Sequence, residues 1–308
     1  MAKVSKHYGI KGSVEFLDVN VSKDNRLFVD PRAVRLQRGP GRFASQANAC
    51  TKSFFDEVAR CVVSGQQADA AHGLDLLQHF KEPKETRLGL SKKGIDGHGG
   101  AEDVGQWIWD ALSTDVNALL SVGILKLIED VPIFVEGVDK DITSDLTTRI
   151  IYEPLAKFTQ EMVSKHPEFT RGRHSTDVFD RQVWNPRRLR WEVKQLDLPV
   201  AEGKPLVLVP KHWARPGLLM SATRYYETTM LSFVQDQRAV PDRKTGKPIK
   251  DPKRVLKEKR EFRRGRDTII RVTEDAEAKR EDLLDRFRSF VDSRYERLED
   301  SEIDARTR

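Results

Sequence analysis

The chain is poor in the patterns that would assign a class at once. It has two cysteines in 308 residues, Cys50 and Cys61. On one stretch of helical periodicity they fall about 16 Å apart along the axis, too far for a disulfide, so a reduced, cytoplasmic compartment is expected. No apolar run approaches the roughly 18 residues that cross a bilayer, and the opening MAKVSKHYGIKGSV lacks the apolar core of a signal peptide. No membrane partner is expected. No Gly-Lys-Ser/Thr closes a Walker A loop, no Gly-x-Ser-x-Gly makes a nucleophile elbow, and no Cys/His spacing suggests zinc. Internal repeats and low-complexity tracts are absent as well.

Charge, in contrast, is plentiful. Charged residues make up 33% of the chain, against roughly 25% in a typical soluble protein, and the formal net charge is +6. The excess is local. Residues 243–271 hold thirteen Lys or Arg against four Asp or Glu, whereas residues 274–304 hold six against twelve. The basic segment could neutralise several phosphates of a nucleic acid, with Arg260, Arg263, Arg264 and Arg266 as its densest group. Its other reading is docking onto the acidic final helix of the same chain.

Hydrophobic periodicity predicts an early half-buried strand in GSVEFLDVNV and a second in RLFVDP. Helices follow over 45–64 and 67–80, the latter leading to a glycine-rich loop that carries Asp96 and His98. A helix with Trp107, Ile108 and Leu112 is next, then an apolar helix over DVNALLSVGILKLIED. PIFVEGV reads as a strand over 132–138, followed by a helix over 144–165 that Pro154 should kink. RQVW and LRWEVKQLDL flank NPRR as a hairpin, and KPLVLVPK reads as a central strand. Trp184, Trp191 and Trp213 are expected in the core or rim of this β region. A helix over 221–237 precedes the basic segment, and a last helix over 274–298 shows an apolar stripe of Leu284, Phe287, Val291 and Leu298. The expected fold class is α/β, a mixed sheet with surrounding helices, plus a helical C-terminal extension. The expected division is a main domain over 1–240 and a segment over 241–308, whose stripe could meet a partner protein or a second copy.

Two constellations could carry chemistry. Glu136, Asp139, Asp141 and Asp145 supply four carboxylates at the end of an expected strand, a composition suited to Mg²⁺. The alternative is a solvated loop capping a helix, with Asp145 in a first turn where the macrodipole favours an anion. FVEGVDKD resembles the first motif of Toprim nucleases and primases, in which a strand ends in Glu-Gly and an aspartate follows. The second constellation lies in the hairpin. Asp180, Glu192 and Lys194 resemble the PD-(D/E)xK nuclease pattern, which implies two acids on Mg²⁺ and a lysine at the attacking water or scissile phosphate. Glu57 could add a further acid. Cross-strand charge pairing is the competing explanation.

RLFVDP, FVEGVDKDITSDLTT and LVLVPK together resemble an uncharacterised group of bacterial proteins associated with phage-defence and mobile-element neighbourhoods. That resemblance implies a nucleic-acid target. Two functions are therefore expected in competition: a metal-dependent nuclease or nuclease-like effector of anti-phage defence, and a non-enzymatic adaptor that binds nucleic acid or a partner protein. Convergence of the acids in a cleft separates them.

Overall fold

Phe43, Ala47, Phe54, Val58 and Cys61 recur at helical spacing and form the buried side of the Gly41–Ser64 helix. Gly65, at φ 67°, turns the chain into the Gln67–Leu77 helix, which packs back on it. The structure, a computed structural model, describes residues 2–36, 41–89 and 101–307. Across the two helices lies the expected hairpin, Thr176–Asn185 paired antiparallel with Arg190–Ala201. Asn185 Oδ1 accepts from the amides of Arg187 and Arg188 and fixes the turn. Trp184 stands opposite Trp191 in the register, and both indoles pack on Phe54. Trp184 donates to Ser53 Oγ at 2.9 Å, and Trp191 donates to the Leu76 carbonyl at 3.1 Å. Trp184 and Trp213 are fully buried and Trp191 half-buried, as expected of core and rim.

The class is mixed α/β with a helical C-terminal extension. Its β structure is divided among small antiparallel sheets. Phe28–Val29 pairs with Ala214–Arg215, Lys204–Pro205 extends the hairpin, and Val240–Pro241 pairs with Pro248–Ile249. The first expected strand is reduced to isolated bridges, including Phe16 with Pro210. Residues 206–209 of KPLVLVPK are buried as expected, yet only Lys204 and Pro205 pair as a strand. Beyond them the amides of Leu206, Val207 and Leu208 reach the Pro199 carbonyl, the Glu85 carbonyl and Thr159 Oγ1. The backbone is satisfied without a ladder.

The expected strand over 132–138 is a helical turn, Val131–Phe134. Pro132 occupies its first turn, where a fixed φ and a missing N–H cost nothing. An apolar run this short does not distinguish a buried strand from a buried helical turn. The apolar stretch before it is also broken: the Asn117–Ser121 helix ends ahead of Gly123, at φ 73°. The kink expected at Pro154 is a division into Lys140–Ile150 and Tyr152–Lys165, with the proline in the first turn of the second helix.

The helix expected over 274–298 is likewise divided, between the end of Arg266–Ala278 and Leu283–Ser293, with Arg280 at φ 62° between them, and a further helix, Asp300–Arg306, follows. Leu284, Phe287, Val291 and Leu298 are all buried in the chain's own core, Phe287 with its ring 5.3 Å from Tyr225. These four side chains therefore serve the chain's own core. A charge network fastens the same helix. Arg288 Nη2 lies 2.6 Å from Asp130 Oδ2, Arg32 holds Asp292, and Arg35 holds Glu129 at 2.6 Å. Three guanidiniums meet three carboxylates, so no net charge is buried.

Candidate functional site

Asp139 begins the construction of the site. Its Oδ1 accepts from the amides of Asp141 and Ile142 at 2.9 and 3.1 Å and caps the Lys140–Ile150 helix. That start sets Asp141 and Asp145 four residues apart on one face. Both line a cleft of about 890 Å³ whose other walls come from residues 21–24, 82–87 and 202–204. Gly89 closes in from one side at φ +114°, and a Cβ there would stand 3.2 Å from Asp141 Oδ1. Two of the four acids expected to act together are thus brought to one cleft.

The other two are not. Glu136 is exposed on the turn after Phe134, and Asp139 faces its own helix. The Glu-Gly of FVEGVDKD has a local cause: Gly137 has φ 79°, and a Cβ there would stand 2.4 Å from the Trp107 indole. Glycine is required by the turn and by the ring above it. The strand on which the Toprim resemblance depends is not formed here, since Val131–Phe134 are helical.

Among the described residues, four cations share the cleft with five carboxylates: Lys23, Lys84, Arg87 and Lys204 against Asp24, Glu82, Asp141, Asp145 and Glu202. Arg87 is the unusual one. Its backbone is left-handed at φ 58° and the residue is 7% exposed. Nε donates to the Val21 carbonyl and Nη1 to the Lys84 carbonyl, at 3.0 and 2.6 Å, while Nη2 has no partner among the described residues. Burial lowers the guanidinium pKa from its ordinary value, opposed by Glu85 and Asp24. A buried guanidinium N–H without an acceptor is costly unless a ligand supplies one. Nothing in KEPKETRLG marks Arg87 in advance, because its backbone conformation and burial arise from the fold. A second hollow of about 610 Å³ shares Glu82, Lys84, Arg87 and Lys204 with the first and extends to Arg149, Asp180 and Arg181.

The hairpin separates the other constellation. Glu192 is paired with Val183 and Lys194 with Arg181, whereas Asp180 is paired with Gln195. Residues paired across an antiparallel ladder share a face, so Asp180 points to the face opposite Glu192 and Lys194. Lys194 Nζ is held 2.9 Å from Glu153. Glu192 accepts from Asn185, Arg188 and Arg190, and these bonds, that of Asn185 foremost, hold its carboxyl down at about 2. The pairing satisfies these charges locally. Asp96 and His98 lie outside the described residues. Among the described residues, the one group of three potential metal-ligating side chains close together is Glu57, Cys61 and His72, on other elements.

Among the described residues, the ion pair between the basic segment and the acidic final helix is that of Arg271 with Asp275, one turn apart on a single helix, and the segment's other ion-pair partners lie outside residues 274–304. Lys250 pairs with Asp236, Lys257 with Glu227 and Lys259 with Asp251. Of the four arginines singled out, Arg266 is half-buried and lies 3.0 Å from Asp115, and Arg264 donates to the Thr223 hydroxyl. Arg260 and Arg263 are exposed with no carboxylate in ion-pair range among the described residues. Arg260 borders a shallow groove with Lys259 and Arg271.

A family model for a domain of unknown function, DUF8370, matches residues 9–220. The chain belongs to this family. The DUF8370 region contains all the described residues that line the cleft and ends before the basic segment and the last helices. No curated protein and no solved structure matches the chain. Among the described residues, no helix is long and apolar enough to cross a membrane.

Proposed function

We propose that the cleft of the DUF8370 region holds a phosphate group together with a divalent cation, and that the protein is a cytoplasmic, metal-dependent phosphodiester hydrolase acting on nucleic acid. The observation that carries this reading is the buried Arg87, whose Nη2 has no partner among the described residues, in a cleft lined by Asp141 and Asp145. Four cations against five carboxylates would repel a free phosphate. A phosphate joined to Mg²⁺ suits the balance: the ion takes one or two carboxylates and substrate oxygens, and Arg87 and the lysines take the rest of the phosphate charge. The ion would polarise the phosphoryl oxygen, and water would displace the leaving oxygen. In an anti-phage setting the substrate is invading DNA or RNA.

A second reading rests on a different observation. Arg243, Lys244, Lys247, Arg254, Arg260 and Arg263 have no carboxylate within ion-pair range among the described residues. An adaptor that binds nucleic acid without cutting it needs no more than such a face.

One assay separates the two. Labelled single- and double-stranded DNA and RNA are incubated with the protein in Mg²⁺, Mn²⁺ or EDTA. The hydrolase reading expects ion-dependent cleavage that falls at least tenfold in Asp145→Asn and in Lys204→Ala, the latter at an exposed position. Binding without cleavage under every ion would leave the adaptor reading standing. Absence of both at low salt would remove the nucleic-acid target.

A further inference from the structure

Glu57 and Cys61 lie one turn apart on the Gly41–Ser64 helix and face His72 of the Gln67–Leu77 helix. Glu57 Oε1 stands 3.4 Å from His72 Nε2 and 3.7 Å from Cys61 Sγ, and the ligand atoms of all three lie within 4.8 Å of one another. In a tetrahedral zinc site, with bonds to oxygen and nitrogen near 2.1 Å and to sulfur near 2.3 Å, the corresponding edges are about 3.4 and about 3.6 Å. Two edges of such a site are therefore already set. The helices are held at that spacing by Gly73, the neighbour of His72. A Cβ on Gly73 would stand 2.7 Å from the Cys61 Cβ and 2.3 Å from the Trp109 ring.

A guanidinium now neutralises the cluster. Arg60 bonds both oxygens of Glu57, reaches Asp69 Oδ1 at 3.0 Å, and lies 3.4 Å from Cys61 Sγ. The Arg60 side chain is half exposed, so it can turn out to solvent, and its departure would release Asp69 as a further oxygen donor. A nucleophilic role for Cys61 suits the geometry less well. The thiol is buried, and the oxygen it meets belongs to Glu57.

We propose that Glu57, Cys61 and His72 bind a zinc-class divalent ion that clamps the two helices together, with Asp69 completing the set as Arg60 swings away. Thiolate, imidazole and carboxylate together suit a borderline-soft ion, whereas Mg²⁺ takes oxygen alone. This site is separate from the cleft and does not depend on the chemistry proposed there.

The full chain, stripped with chelator and dialysed, would be titrated with Zn²⁺ by calorimetry and with Co²⁺ by absorbance. One saturable equivalent is expected, with a thiolate-to-cobalt charge-transfer band. Cys61→Ser should abolish the band and weaken binding at least tenfold, and His72→Ala should weaken it similarly. Arg60→Ala should keep the band and bind at least as tightly, because the competing cation is gone. The proposal fails if neither the unaltered protein nor Arg60→Ala takes up one equivalent. It fails equally if the band survives Cys61→Ser, which would assign the thiolate to Cys50.

Discussion

Arg288→Ala should cost more stability at pH 8 than at pH 5, and the difference can be worked from its partner. Asp130 is 0% exposed. It receives Arg288 Nη2 at 2.6 Å and the Leu127 amide at 3.0 Å, and the same Nη2 reaches the Ile124 carbonyl at 3.3 Å. Burial pushes the Asp130 carboxyl up to about 6, against the pull of Arg288. Removing one partner of a buried ion pair costs about 3–5 kcal/mol, because the other charge stays buried. Without the guanidinium the folded-state pKa of Asp130 must rise further. Between that higher value and about 6 the folded variant holds a proton that the folded wild type lacks. Lowering the pH through this window stabilises the variant relative to the wild type, by at most about 1.4 kcal/mol per pH unit. Below it both carboxyls are protonated and the gap levels off. Between about 6 and the ordinary aspartate value the wild type itself gains stability as pH falls, since its folded state binds more protons than its unfolded state. Urea unfolding at a series of pH values measures all three regimes. A cost below about 1 kcal/mol, or one equal at pH 5 and pH 8, would refute the buried-charge reasoning. Asp130→Leu with Arg288→Met should recover most of the loss, because apolar replacement removes both desolvation penalties together.

Arg260→Ala with Arg263→Ala should flatten the salt dependence of duplex DNA binding by up to about 0.9 in log–log slope per lost phosphate contact, with an unchanged melting temperature. Arg266→Ala should instead lower the melting temperature, because it breaks the half-buried pair with Asp115; an equal effect of all three on melting would mean that Arg260 and Arg263 serve the fold. Gly89→Ala should destabilise by about 1–3 kcal/mol, since φ +114° is a region L-residues rarely adopt; a neutral result in thermal melts would show that this segment relaxes freely. Truncation before Leu283 should expose the seats of Phe287 and Val291 and strand Asp130; a soluble product of unchanged association state in light scattering would show the last helices to be dispensable.

The parts of this fold that could be read from sequence are those whose pattern has one physical meaning. Sustained 3.6-residue periodicity over 45–64 can only bury one helix face, and two strands of alternating pattern around NPRR can hardly avoid a hairpin. Pro154 announced a break because its ring forbids a continuous helix interior, although sequence does not say whether the result is a kink or two helices. Short apolar runs were legible as buried and no further. PIFV and LVLV look alike in composition, yet one lies in a helical turn and the other outside any named strand or helix, because their surroundings decide which backbone partners are in reach.

The candidate site was half legible for the same reason. Asp141 and Asp145 share a helix face by spacing alone, so local geometry brings them together. Glu136 and Asp139 belong to the turn before it, where Trp107 and the helix cap dictate their roles. Asp180 parts from Glu192 and Lys194 through the parity of the ladder register, since a shift of one residue moves a side chain to the other face. Arg87 and the Glu57, Cys61 and His72 group depend on neighbours distant in the fold or on a second helix, and no linear spacing encodes them. Motif spacing can report chemistry only where one element carries all the participants. Where the participants come from several elements, burial without a partner is the more informative sign, and in this cleft Arg87 Nη2 carries it.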